Sequence, residues 1–254
     1  MAGSGGAFRG AIERISGDRR KTLGAGLVGV LIGGVAVALA SQSGVVAADP
    51  DRARIEGIVR DYILAHPEII PEAVQLLQDR QLAQAIDGNR AAYETPFAGA
   101  WAGAEDGDVV LVEFFDYACG FCRQSNPDID RLLAEDGKLK VVWRELPVLG
   151  PDSQVAAEAS LAAAKQGVFQ KFHETLFGLG RPTAATIAEA KKVAGVTATV
   201  PEAEARAEVD KNYELARAVN ATGTPTFVVG DQVLQGAVGY DALKAAIAKA
   251  RAAE

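Results

Sequence analysis

Apolar residues at Ile55, Ile58, Val59, Tyr62 and Ile63 fall three and four apart, so a helix over this segment carries them as a stripe on one face. His66-Pro67 ends that helix, because the residue before a proline is pushed toward extended backbone. A second helical stretch follows Pro71, with Val74, Leu77, Leu82 and Ile86 set among glutamine and aspartate. Together they predict a helical hairpin within residues 50–92. Neither helix buries its apolar face alone, so the hairpin is expected to pack on the rest of the chain or on further copies of itself, as a homo-oligomer.

After a glycine-containing stretch over 95–108, read as a loop, the period changes. Val109-Val110-Leu111-Val112-Glu113-Phe114-Phe115 is apolar on both faces but for one glutamate, the pattern of a strand in the middle of a covered sheet. A helix over 120–134 and a strand over 139–143 complete a β-α-β unit with a parallel pair. Next comes a segment with almost no strand signal, which glycines and prolines divide into helices near 153–166, 168–177, 183–194 and 202–219. The chain closes with a strand at 226–229, a Gly230-Asp231 turn suited to a hairpin, a strand at 232–235 and an amphipathic helix over 240–252. The expected fold class is α/β, a small mixed sheet with helices on both faces and a helical insertion at about 151–220.

Residues 23–40 carry no charge, and as a helix they span roughly 27 Å, enough to cross a bilayer. Arg9, Arg14, Arg19, Arg20 and Lys21 precede them, so the positive-inside rule expects residues 1–22 to be a cytoplasmic tail and everything after residue 40 to lie in the periplasm. The segment reads as a transmembrane anchor. Ala38-Leu39-Ala40 also fits a signal cleavage site, which would leave a soluble periplasmic protein.

Composition narrows the chemistry. At 254 residues the chain is long enough for a sizeable core without disulfide scaffolding. Acidic residues outnumber basic ones 33 to 26, a net charge of −7, which argues against a nucleic-acid partner. No glycine-rich phosphate loop follows a predicted strand, so no organic cofactor is expected. The only histidines are His66, beside a proline at a helix end and read as solvated or capping, and His173, read as packed among Phe169, Phe172 and Leu176.

Both cysteines lie in Cys119-Gly120-Phe121-Cys122, directly after the apolar strand and at the start of a helix, the setting in which C-x-x-C becomes a redox pair. Free N–H groups at a helix start favour a thiolate, so Cys119 is the expected nucleophile and leaving group. Cys122, three residues on, is placed to resolve the mixed disulfide. A zinc knuckle needs two further ligands that the distant histidines do not supply, so no metal is expected there. A copper(I)-binding thiol module is the alternative from another class. Glu113 is alone among apolar neighbours, and a buried carboxyl resists ionisation, so it is expected to exchange a proton near neutral pH.

With Val109 to Cys122, the inserted helices and Gly223-Thr224-Pro225-Thr226-Phe227, residues 97–254 resemble the thioredoxin superfamily, and within it the DsbA-like thiol-disulfide oxidoreductases. The resemblance implies a thioredoxin-like fold, activity on unfolded or cysteine-containing exported proteins, and a membrane redox partner. It implies that Pro225 is a cis proline beside the redox pair, that Thr224 pairs with bound peptide, and that Glu113 relays the proton of Cys122. The Gly-Phe dipeptide departs from the Pro-His of the most oxidising members, and with Thr224 it looks more like the disulfide isomerases. The helical hairpin is similar to the oligomerising extension of the copper-tolerance branch. Disulfide exchange is the expected activity, with isomerisation or reduction as its alternative direction.

Overall fold

A computed structural model describes residues 50–253. The basic tail at 1–22 and the apolar segment at 23–40 lie outside the described residues, among which no helix is long and apolar enough to cross a membrane. Contacts divide the chain into two units, one ending at Ile70 and the other running from Pro71 to Glu254.

The hairpin region holds α1 (Pro50–Ala65) and α2 (Ile69–Asp87). α1 stops before His66-Pro67 as the proline requires. α2 begins two residues before Pro71, not after it, since a proline in the first turn lacks only an N–H that has no helical partner anyway. The stripe of α1 is exposed at Ile55, Ile58, Val59 and Tyr62, with Ile58 at 59%. Farther along, Ile86 of α2 is buried with Tyr93 of the short helix α3 (Arg90–Glu94), which the sequence pattern did not reveal.

β1 (Trp101–Gly103) also falls within the stretch expected to be loop. Only three residues long, it offers no period to detect, and it is recruited by pairing antiparallel to β3 (Leu139–Glu145). Gly103 has φ +91, and a side chain there would run into the Leu139 carbonyl, so the position requires glycine. β2 (Val109–Phe115) pairs parallel with β3 and antiparallel with β4 (Thr226–Val229), and β5 (Gln232–Gln235) closes the order β1-β3-β2-β4-β5. β2 therefore sits in the centre, as its two-sided apolar pattern requires.

Helices cover both faces. Leu111, Phe115, Val141, Phe227 and Val229 pack on one side with α4 (Gly120–Glu135), α5 (Pro151–Gln166), α6 (Phe169–Leu179), α7 (Ala184–Ala194) and α9 (Tyr240–Ala253). Val112, Phe114, Val142 and Val228 face the other side with α3 and α8 (Glu202–Ala218). There the buried Arg144 guanidinium donates to Glu208 Oε1 at 3.1 Å, to Asn212 Oδ1 at 3.0 Å and to the carbonyls of Ala92, Tyr93 and Thr95, fastening α3 and α8 to β3. This is a thioredoxin-like α/β fold with a mixed sheet and a helical block, the class expected.

Candidate active site

Cys119 is the N-cap of α4, and its sulfur accepts from the Cys122 N–H at 3.4 Å. The sulfur also lies 3.2 Å from the Thr224 carbonyl. Thr224 enters the site because the Thr224–Pro225 peptide bond is cis, just before β4. The Cys119 pKa is lowered to about 5, first by the hydrogen bond from Cys122, opposed by burial and assisted by Thr224 and the backbone N–H groups of Cys122 and Phe121. Burial first, then the bond to Cys119 and the charge of Glu113, pushes the Cys122 thiol far up. One thiol is thus ionised at neutral pH and the other keeps its proton. Both cysteines are free in this structure, and the Phe121 side chain between them is 63% exposed.

Glu113 is completely buried on β2, opposite Trp143 in the parallel register. Trp143 Nε1–H donates to Glu113 Oε2 at 2.9 Å. Burial raises the Glu113 pKa to about 8, the Trp143 bond opposes that rise, and the charge of Cys119 adds to it. Its charge in turn bears on Cys122. The structure therefore brings Cys119, Cys122, Glu113, Thr224 and Pro225 to one place. His66 is exposed at the end of α1, 3.4 Å from Glu68, and His173 is buried among Phe115, Tyr117, Trp143, Phe169 and Phe177. Among the described residues no group of His, Cys, Asp and Glu is arranged to hold a metal ion.

Sequence reasoning missed Asp116. Its buried carboxylate accepts from Ala118 N–H at 2.7 Å, Leu149 N–H at 2.9 Å and the Ser153 hydroxyl at 2.7 Å, and its carbonyl accepts from Cys119 N–H at 2.9 Å. It joins the turn that presents Cys119 to the first turn of α5. An aspartate three residues before the first cysteine was the available signal, since short acidic side chains readily bond the backbone two residues on. Trp143 was also missed, because only the strand register places its indole beside Glu113.

Residues 110–248 match the DSBA-like thioredoxin domain, and residues 51–84 match the N-terminal domain of the copper resistance protein ScsC. Among solved structures, a Proteus mirabilis ScsC variant carrying a linker deletion is 27% identical, with a TM-score of 0.67 over 83% of this chain and 100% of that one. A periplasmic thioredoxin-like protein of Salmonella enterica serovar Typhimurium is 30% identical, with a TM-score of 0.60 over 64% of this chain and 95% of that one. Disulfide bond formation protein D of Bacillus subtilis is 29% identical over 58% of this chain and 74% of its own length. Na(+)/H(+) antiporter NhaA 1 of Salinispora arenicola is 31% identical over 58% of this chain, which spans 24% of that protein.

Proposed function

Because the chain belongs to the DSBA-like thioredoxin family and is a thiol-disulfide oxidoreductase of that type, we propose that it works in the periplasm, exchanging disulfides with cysteines of exported proteins through Cys119 and Cys122. The observation that carries this reading is the asymmetry of the pair, an ionised sulfur at a helix N-cap and a protonated one buried behind it. Cys119 attacks or is attacked, Thr224 offers backbone beside the sulfur to a bound peptide, and Glu113 takes or returns the Cys122 proton. The basic residues before 23–40 support an inner-membrane anchor with a cytoplasmic N-terminus, and a membrane redox partner would reset the pair.

A Cys119 pKa of about 5 lies between the roughly 7 of thioredoxin and 3.5 of DsbA, so the reduction potential is expected between about −270 and −120 mV. Equilibration of the whole protein with glutathione measures it. A value near −120 mV makes the protein an oxidant of substrate dithiols, and one near −180 mV or below makes it an isomerase or reductase. Absence of any reversible couple, with stoichiometric copper(I) retained, would replace the enzyme by a thiol metal-binding module.

The exposed stripe of α1 and the match of 51–84 to the ScsC N-terminal domain support self-association through the hairpin. Ile58→Asp places a charge on that stripe and is expected to convert the oligomer to monomer at micromolar concentration. Sedimentation equilibrium reads this, and an unchanged mass would remove the hairpin as the assembly element.

A further inference from the structure

Asp116 is 1% exposed, yet its carboxylate collects donors from three separate parts of the chain. Oδ1 accepts from the Ala118 N–H at 2.7 Å, which closes the turn ahead of Cys119, and from the Ser153 hydroxyl at 2.7 Å, in the first turn of α5. Oδ2 accepts from the Leu149 N–H at 2.9 Å, in the loop between β3 and α5. That loop is tied at two further points, by the Leu146 N–H to the Phe115 carbonyl at 2.8 Å and by the Tyr213 hydroxyl to the Pro147 carbonyl at 2.8 Å.

Three bonds on two oxygens call for a group that only accepts, as a carboxylate does; an asparagine would turn its own N–H toward one of the donors. All three donors are neutral, and the titratable groups that feel the charge of Asp116 are Glu145 on β3 and Tyr213 on α8, neither of them a cation. A buried carboxylate held by neutral donors alone is a costly way to close a turn that serine or asparagine closes as well. What the clamp serves lies on the main chain of the same residue. The Asp116 carbonyl accepts from the Cys119 N–H at 2.9 Å, and the Asp116 N–H bears on Cys122, partly offsetting the rise that burial causes there. The Cys119 sulfur is left facing the Cys122 N–H at 3.4 Å and the Thr224 carbonyl at 3.2 Å. Hydrogen bonds weaken steeply with poor distance and angle, so a turn free to drift takes the sulfur off these partners.

We propose that Asp116 is a positioning residue for disulfide exchange, whose carboxylate clamps the redox turn to the β3–α5 loop and to α5 and so holds Cys119 Sγ where the start of α4 stabilises its thiolate. The inference rests on the oxidoreductase reading. When a second client thiolate attacks the client sulfur of the mixed disulfide, the bond from that sulfur to Cys119 Sγ breaks. The two client sulfurs join, and Cys119 leaves as a thiolate with the electron pair. The clamp acts on that departing anion through the turn, so it sets both the acidity of Cys119 and the potential of the pair.

The test compares the full-length protein with Asp116→Ala, which removes all three side-chain bonds, and Ser153→Ala, which removes one donor and keeps the carboxylate. Two quantities are read, the pH midpoint of Cys119 alkylation, near 5 in the wild type, and the reduction potential against glutathione. Asp116→Ala is expected to weaken thiolate formation about tenfold, raising the midpoint by about one pH unit and lowering the potential by about 30 mV, since the reduced form loses that stabilisation. Ser153→Ala moves both in the same direction by about threefold, and it decides the matter if Asp116→Ala does not fold. A midpoint that falls in Asp116→Ala would mean that the charge of Asp116 and not its clamp acts on Cys119, and would overturn the proposal. So would an unchanged midpoint and potential in the folded variants, whatever stability they lose in urea, which marks a packing role. If the wild-type protein shows no reversible couple with glutathione, it is the oxidoreductase reading that fails.

Discussion

Replacing Cys119 by serine abolishes turnover of substrate disulfides, a loss on the order of a thousandfold or more, as for removal of the nucleophile from any catalytic unit. Cys122→Ser has the opposite signature. Cys119 still forms the mixed disulfide, but nothing resolves it, so covalent adducts with client proteins accumulate and are visible on a non-reducing gel. The difference follows from the two environments, since the Cys119 pKa is lowered to about 5 while burial pushes Cys122 up. Alkylation of Cys119 in the wild-type protein should therefore proceed at full rate at pH 7 and fall through a midpoint near 5 on acidification. The ordinary thiol value is 9.0, so between pH 5 and 9 the Cys119 site binds fewer protons in the reduced folded state than in the unfolded one. The stability that Cys119 contributes rises with pH across that window and is lost as pH falls through about 5, opposite in sign to the contribution of Glu113. The oxidised protein, with no thiol to ionise, lacks this dependence, so thermal melts of the two forms should diverge from pH 5 upward. Equal trapping by the two serine variants would remove the assignment of nucleophile and resolver.

Glu113→Gln is expected to stabilise the protein and slow it. The glutamate ionises near its ordinary 4.5 when unfolded but near 8 when folded, so stability declines as pH rises between those values. Glutamine keeps an acceptor for Trp143 and has nothing to ionise, giving a gain of roughly 3 kcal/mol at pH 7 that vanishes below about pH 4.5 and levels off above 8. Urea titrations of both proteins at pH 4.5 and 7 measure it. Resolution of mixed disulfides by Cys122 should fall about a hundredfold at pH 7, since proton transfer by a placed acid or base contributes at least that much. A variant that is neither more stable at pH 7 nor slower would mean that Glu113 does not face the redox pair as a proton carrier.

Much of this was legible in the chain because it depends on local pattern. A run apolar on both faces, Val109–Phe115, has few places to go except the centre of a covered sheet, and that is where it lies. The lone Glu113 within it stands out for the same reason, and the cysteine pair declares itself by following that strand into a helix. What stayed hidden depends on register and on distance along the chain. Trp143 looks like an ordinary strand residue, and Glu145 lies beyond the strand expected at 139–143, until the parallel pairing sets them beside Glu113 and Phe115. β1 and α3 are too short to show a period, and Arg144 reads as a surface charge until Glu208 and Asn212 arrive from α8.

The indole of Trp143 gives the molecule an optical voice. The chain has two tryptophans, Trp101 on the edge strand, partly exposed, and Trp143 in the interior, with its N–H 2.9 Å from Glu113 and its ring 5.2 Å from that of His173. A negative charge that appears or disappears at Glu113 changes the electric field across that ring, and with it the colour of the light the ring emits. Trp101 lies outside this pocket and supplies a steady background. Each passage of a proton beneath the cysteines is thereby written into the protein's own ultraviolet emission, without a label attached anywhere on the chain.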